Sequence, residues 1–340
     1  MAQDLAQNRA RPGGLGAGAP GAALPEIVHR SPGLDPGRFG LVVCVPTFRR
    51  PEGLRATLRS LRAQDAAEPF AVVVAENDAA RAGAAVAAEH LDGAGLHGVC
   101  AVEPVQGNCS AINAAFALAL VLFPRARAVL MIDDDEVASP GWLRLMAAAA
   151  DGEGVEVVGG PVLPRFRSGK AALARHPAFR PAYDRTGPVP VIYGTGNCLI
   201  RREVFGRLAQ PGLDPCFNHL GGGDTDFFHR CRLAGCRFHW VQEAVIEEDV
   251  PEERTRLAWL LRRSLRIGAV NFHVERRALH PARVWLRNLL AWPGSALRSA
   301  RELARTGDPL LALHPLLVAC GRSSAALGLE PHQYRPPPGG

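Results

Sequence analysis

Residues 131–136 read MIDDDE, three aspartates and a glutamate that close the apolar run ARAVLMI. Four adjacent carboxylates repel one another and do not suit a buried strand. In an extended segment, residues two apart project to the same side, so Asp133 and Asp135 aim together while Asp134 points away. Two convergent carboxylates suit Mg²⁺ or Mn²⁺, hard cations that take oxygen ligands and complete their shell with water and phosphate. The alternative is an acidic turn that caps a helix at 139–150.

Two further stretches carry usable chemistry. GGGDTDFF at 221–228 removes side chains where a ligand can approach closely, and Asp224 and Asp226 follow at once. An aspartate beside such a cleft can serve as general base. It can also simply cap the following helix, whose dipole favours a carboxylate there. VVVAEND at 72–78 ends in Glu76 and Asp78. These either accept hydrogen bonds from a nucleobase or ribose, or start a turn.

The surrounding pattern says what must position these residues. FGLVVCVP (39–46), FAVVVAEND (70–78), HGVCAVEP (97–104) and ARAVLMIDDD (126–135) are buried-strand runs. Between them, helical spacing predicts helices at 51–64, at AGAAVAAEHL and at NCSAINAAFALALVLF. Strands alternating with helices imply a mostly parallel sheet covered on both faces. Ligands of such sheets bind beyond the carboxyl ends of the strands. MIDDDE, PTFRR and END all lie at those ends, which favours the cation reading of the acids.

The second half is less regular. A helix over 139–150 is expected with Ser139 as its cap. VEVVGGPV and RFHWVQEAVIEED each suggest one strand, and 164–190 suggests loop. Arg/Leu-rich helices follow Pro251 to about 328. Residues 1–37 are rich in Gly, Ala and Pro and are expected to be a flexible tail.

Bulk composition is that of a soluble globular protein of one large or two modest domains: 340 residues, 47% hydrophobic and 21% charged. The net charge is +6, yet Lys170 is the one lysine among 39 basic residues. That bias resembles genomic coding bias, and no nucleic-acid partner is expected. The eight cysteines form no CxxC pair and fit small buried hydrophobes in a reducing cytoplasm. No signal-peptide pattern and no membrane-spanning run is present in the sequence.

In order, VCVPTFRRPEGLRATLRSL, VVVAEND, GNCSAINAAFALA, MIDDDEVASPGWL, GTGNCLIRREVF and GGGDTDFFHRCRLAG resemble the motifs of family 2 glycosyltransferases, non-processive bacterial exopolysaccharide branch. The resemblance spans about 39–268. It implies a GT-A-type α/β fold, a mostly parallel sheet flanked by helices, with a C-terminal helical extension. The implied layout is a tail at 1–37 and a GT-A domain at 38–250. That domain divides into a nucleotide-binding half (38–136) and an acceptor half (137–250). A helical region at 251–330 and a disordered tail at 331–340 complete it.

By the same resemblance, Pro46, Thr47 and Arg49 hold the nucleoside, and Glu76 and Asp78 read base and ribose. Asn113 and Asp134 belong to the donor side. Asp133 and Asp135 are the DxD pair for Mg²⁺ or Mn²⁺, with Glu248 as a further acid near the diphosphate. Gly194, Thr195, Gly196 and Asn197, with Gly222 and Gly223, line the donor sugar and acceptor, and Asp224 is the catalytic base. The implied reaction is inverting transfer from a nucleotide-diphosphate sugar, UDP-sugar first among them, to a saccharide or lipid-linked acceptor. It would take place in the cytoplasm, at the inner face of the membrane if the Arg/Leu/Trp helices bind lipid.

Three departures stand out: Glu76 where the family has Asp, Gly223 where it has the Glu of "ED", and no QxxRW motif of processive synthases. Two rivals therefore stay in play, a non-catalytic nucleotide-sugar-binding relative and a sugar nucleotidyltransferase.

Overall fold

The computed structural model describes residues 24–166, 169–218 and 220–329. Its first strand is unexpected. Glu26–Arg30 (β1) lies inside the stretch expected to be tail, and it pairs antiparallel with His97–Val102. The pairing gives the sheet an edge and corrects the tail's boundary; residues 1–23 and 330–340 lie outside the described residues.

The first half otherwise alternates as its periodicity implies. Leu41–Thr47 (β2), Pro51–Arg62 (α1), Phe70–Glu76 (β3), Ala84–His90 (α2), His97–Val102 (β4), Asn108–Leu122 (α3) and Ala128–Met131 (β5) follow in order. The neighbouring strands β4, β3, β2 and β5 are all parallel. Their side chains alternate between two cores, which is why the strands are apolar throughout. Val42 and Cys44 face Ile112 and Phe116 of α3. Leu41, Val43 and Val45 face Leu54, Leu58 and Leu61 of α1. Each such leucine, fully buried, contributes about 1.5–3 kcal/mol.

The second half departs from expectation at its strands. Glu136–Ala138 (β6) comes directly after the acids, so the acids do not cap the next helix, Trp142–Gly152 (α4). That helix begins at Trp142 with Gly141 at its N-cap and no side-chain cap, two residues beyond Ser139, which was expected to supply one. VEVVGGPV splits at Gly160–Pro161 into Val157–Gly159 (β7) and Val162–Phe166 (β8), which belong to different sheets. Gly187–Val189 (β9) crosses the expected loop. Cys198–Arg201 (β10), Arg202–Arg207 (α5) and Gly223–Leu233 (α6) follow. The late "strand" divides the same way, into Phe238–Trp240 (β11) and Ile246–Val250 (β12).

The main sheet runs β1-β4-β3-β2-β5-β10-β7-β11-β9, and β6-β12-β8 form a small second sheet. In the main sheet β10 is antiparallel to both neighbours, β5 and β7, and β7 is parallel to β11. Six of the nine strands therefore share one direction. Leu257–Ala278 (α7), Pro281–Thr306 (α8) and Pro309–Ala326 (α9) complete the chain. Helices α7 and α9 cross backbone to backbone: a Cβ on Gly268 would sit 2.0 Å from the Val318 carbonyl oxygen, and one on Gly321 1.8 Å from that of Leu265. Among the described residues no helix is long and apolar enough to cross a membrane.

Candidate active site

A cleft of about 1130 Å³ opens at the carboxyl ends of β2 and β5. It joins the ends of β2, the acids, the 194–197 loop, the start of α6 and one side of α7.

The acids sit in a turn, not in a strand. Strand β5 ends at Met131, and residues 134–135 are in turn conformation. The first helix holds that turn. A Cβ on Gly53 would lie 2.5 Å from the Asp134 carbonyl oxygen, so only glycine lets α1 approach so closely. The Thr57 hydroxyl donates to the Glu136 carbonyl at 2.7 Å. Asp134 does not point idly away from its neighbours. It accepts from the Thr47 hydroxyl (2.8 Å), the Phe48 amide (3.1 Å) and Arg50 (3.0 Å), which ties the turn to the end of β2. Arg50 also binds Asp135 at 2.8 Å. It was not among the residues expected from sequence, although its place beside Arg49 in PTFRR was the available signal.

Glu248 arrives from 112 residues further along the chain. Its strand β12 pairs with β6 so that Glu248 stands directly opposite Glu136. Like charges facing across an antiparallel pair are destabilising. Arg254 offsets part of this by donating to Glu248 at 2.5 Å. Five carboxylates (Asp133, Asp134, Asp135, Glu136 and Glu248) thus meet the two guanidiniums of Arg50 and Arg254. Burial, then Asp135, Asp134 and Glu248, push the Asp133 carboxyl up to about 8. Burial and Asp133 likewise raise Glu136 well above the usual carboxylate range.

This set of oxygen donors with surplus negative charge fits a hard divalent cation. Among the described residues, though, no three Asp, Glu, His or Cys side chains close into a metal cage. A cation here would take part of its shell from its ligand, as Mg²⁺ does beside phosphate.

The 194–197 loop divides by role. A Cβ on Gly196 would lie 2.7 Å from Glu136 Oε1 and 3.1 Å from Asp133 Oδ2, so the loop packs directly against the acids. Gly194 and Thr195 also line the cleft. Asn197 borders it but spends its amide on the scaffold. It accepts from the Trp142 indole at 2.8 Å and donates to the Pro161 and Ala244 carbonyls at 2.9 Å each.

Across the cleft, Gly221 and Gly222 have φ of 76° and 91°, the left-handed region that favours glycine. They deliver the chain into α6 with Asp224 in its first turn. Oδ1 of Asp224 accepts from the Thr225 amide at 2.7 Å and from its hydroxyl at 3.4 Å. Burial raises the Asp224 carboxyl, opposed by those two donors and by Arg266. The missing Glu of "ED" now has a cause. A Cβ on Gly223 would come within 2.5 Å of Cys109 Sγ on α3, so a larger residue fits only if that side chain shifts. Gly223→Glu is therefore expected to overpack that contact and destabilise the protein by about 1–3 kcal/mol. Thermal unfolding checks this; an unchanged Tm would mean the α3–α6 contact yields freely.

Four expected residues do not line the cleft. Glu76 is fully buried, and its two oxygens accept from the Asp78 amide (3.0 Å) and the Gly83 amide (2.5 Å). It is committed to the turn after β3, the bland alternative for that position. Asp78 is buried and pairs with Arg49 at 3.3 Å. Asn113 staples α3 to Leu213, donating to its carbonyl at 2.8 Å and accepting from its amide at 2.7 Å. In their place, the cleft takes Asn77, which holds the 103–107 loop through Glu103, Val105 and Gly107. Arg263, Arg266 and His314 from the C-terminal helices also line it. Burial and His176 lower the His314 ring to about 4, so it is neutral near pH 7. The cysteines fit the expectation in the main: six are buried, Cys320 is half-buried and Cys216 is exposed, and none is in a disulfide.

Comparison with known proteins agrees with this architecture. The chain is 32% identical over 249 residues to "Succinoglycan biosynthesis protein ExoM" of Rhizobium meliloti (strain 1021), covering 70% of this chain and 76% of that protein. Mannosyltransferase PcManGT from Pyrobaculum calidifontis, in complex with GDP-Man and Mn²⁺, superposes with a TM-score of 0.55 at 19% identity, covering 89% and 90%. S. aureus TarS 1-349 in complex with UDP gives 0.52 at 13%, covering 85% and 92%. The chain spans 54% of the longer TarS crystal chain. At these identities the structures share the GT-A fold. Residues 36–268 match the family described as "Glycosyltransferase like family 2", and that match takes in every strand of both sheets except β1. The chain belongs to glycosyltransferase family 2 and is a glycosyltransferase.

Proposed function

We propose that this enzyme transfers a sugar, with inversion, from a nucleotide-diphosphate sugar to a hydroxyl of a saccharide or lipid-linked saccharide at the inner face of the cell membrane. One observation supports the reading: a single cleft is lined by the acid turn, by the Gly194–Gly196 loop and by Asp224. A donor lying along that loop has its diphosphate toward the acids and its sugar toward Asp224.

Asp133 and Asp135 would hold Mg²⁺ or Mn²⁺, with Glu248 adjoining. Such an ion, when bound, offsets negative charge on the diphosphate leaving group. The protein's own residues do the rest. Thr47, Phe48 and Arg50 fix the turn so that its carboxylates keep one arrangement. Asp224 takes the proton of the acceptor hydroxyl as that oxygen bonds to the anomeric carbon. The bond from that carbon to the diphosphate oxygen breaks on the opposite side, which inverts the centre and releases the nucleoside diphosphate. Thr225 occupies Oδ1 of Asp224, which leaves Oδ2 for the incoming hydroxyl.

The neighbours' ligands, UDP in TarS and GDP-Man with Mn²⁺ in PcManGT, support a nucleotide-sugar donor and a divalent cation. They leave the base open. With Glu76 committed internally, a UDP-sugar stays the first choice on resemblance alone. A panel of UDP-, GDP-, dTDP- and CMP-sugars, assayed for nucleotide release with Mn²⁺ and with chelator, tests the reading. Release from one diphosphate donor that stops on chelation is expected. No release from any donor, or release indifferent to chelation, overturns the donor or the metal part respectively.

A further inference from the structure

Helix α8 presents a face that no part of the described structure covers. Its inner face is narrow: Val284, Asn288 and Ser295 are its buried residues. At 100° per residue these lie within one stripe of the helix. Turned away from them stand Trp285, Leu286, Leu289, Leu290 and Leu297, all exposed, with Leu289 at 66%, while Trp292 turns toward α9 and donates its indole N–H to Ser323. Arg287, Arg298 and Arg305 follow along one flank of that apolar face, with Arg283 and Arg301 at its border. Glu302 is the helix's one acid, and it pairs with Arg305.

An apolar band of leucines with Trp285 and an arginine flank is the pattern of a helix lying in a bilayer interface. We propose that α8 docks the enzyme on an anionic lipid surface, its axis in the membrane plane and its apolar face in the acyl boundary. This deepens the proposed membrane location by naming the surface, and it rests on that reading. Charge decides against the other occupants. A second copy on this face would bring two arginine flanks together, whereas anionic headgroups complement them. Residues 1–23 and 330–340 offer Leu5, Leu15 and Tyr334 as bulky apolar side chains besides Met1, too few to cover the band. The placement also suits the site. Helix α8 packs on α9 and α7, and those two helices supply His314, Arg263 and Arg266 to the cleft.

The test is flotation of the full chain with vesicles of phosphatidylcholine alone or with 30% phosphatidylglycerol, taken as a probe composition within the anionic range of natural membranes. Binding to the anionic vesicles is expected, weakened by salt and at least about ten-fold weaker on phosphatidylcholine. Trp285→Glu with Leu289→Glu should lower partitioning by at least about ten-fold. Arg283→Glu with Arg301→Glu should lower it by on the order of 25-fold. Nucleotide release in solution should persist in both double variants, since none of these residues lines the cleft. Equal binding to both vesicles, no binding, or a dimer that Trp285→Glu dissociates would overturn the docking proposal. Vesicle binding that survives while no donor is hydrolysed would sink the transferase reading and leave the docking intact.

Discussion

Asp224→Asn should lower transfer by about 10²–10⁴-fold, the range lost with a general base, while donor affinity stays close to that of the native enzyme. The substitution keeps Oδ1 for the Thr225 amide and hydroxyl, so the start of α6 keeps its geometry. What it removes is, among the described residues, the one carboxylate lining the cleft outside the acid turn and Glu248. The pH profile provides a second check. Burial raises the Asp224 carboxyl, which favours its protonated form. The basic form therefore appears at a higher pH than for an ordinary aspartate. Transfer should rise with pH through that raised value and be lost as pH falls through it. The asparagine variant should lose this acid limb. Substantial residual transfer, or an acid limb that persists, would remove Asp224 from the mechanism. Calorimetry with the nucleoside diphosphate separates a lost base from a lost fold.

Asp133→Ala with Asp135→Ala should abolish metal-dependent donor binding, the second large effect. On the proposed reading, losing both carboxylates would take away the cation that lets a diphosphate approach an acidic turn. Without it, Asp134, Glu136 and Glu248 repel that diphosphate. Affinity in Mn²⁺ should fall by at least about 100-fold, on the order of what losing even a supporting contact of a metal site can cost. Affinity in chelator should scarcely change, because the native enzyme already lacks the ion there. Stability is expected to hold or rise slightly, since the substitution relieves the burial and, after it, the repulsion that together lift Asp133 to about 8. Unchanged calorimetric affinity in Mn²⁺ would count against these carboxylates as ligands. Asp134→Ala is the contrasting control: it strips partners from Thr47, Phe48 and Arg50, so its loss should show in Tm as well.

Much of the first half was legible because β2 to β5 are buried on both faces and α1 on one, while α3 is apolar nearly all round. Period and apolarity therefore coincide with the structure from β2 to β5. The second half resisted for an equally physical reason. VEVVGGPV and RFHWVQEAVIEED are continuous in sequence, but each crosses from the main sheet to the small one. Nothing in an apolar run marks the residue at which its neighbours change. Edge strand β1 was missed because it is half-exposed and short. In the site, residue type led to side chains that line the cleft at the acid turn and at Asp224, and to side chains outside it at Glu76 and Asn113. Those side chains carry the same donors and acceptors as ligand-binding ones, and their backbone partners become visible only in three dimensions.

By itself the sequence determined that acids close a buried strand, that glycines precede Asp224, and that alternating elements carry both to one end of a sheet. These depend on local pattern and chain order. Tertiary structure alone decided that Glu248 faces Glu136, that Arg50 clamps Asp134 and Asp135, and that Gly223 has room for a larger residue only if Cys109 shifts. Each of these is a contact between segments far apart in the chain, set by sheet register and helix packing. MIDDDE states the charge; the fold decides which of those charges is already answered.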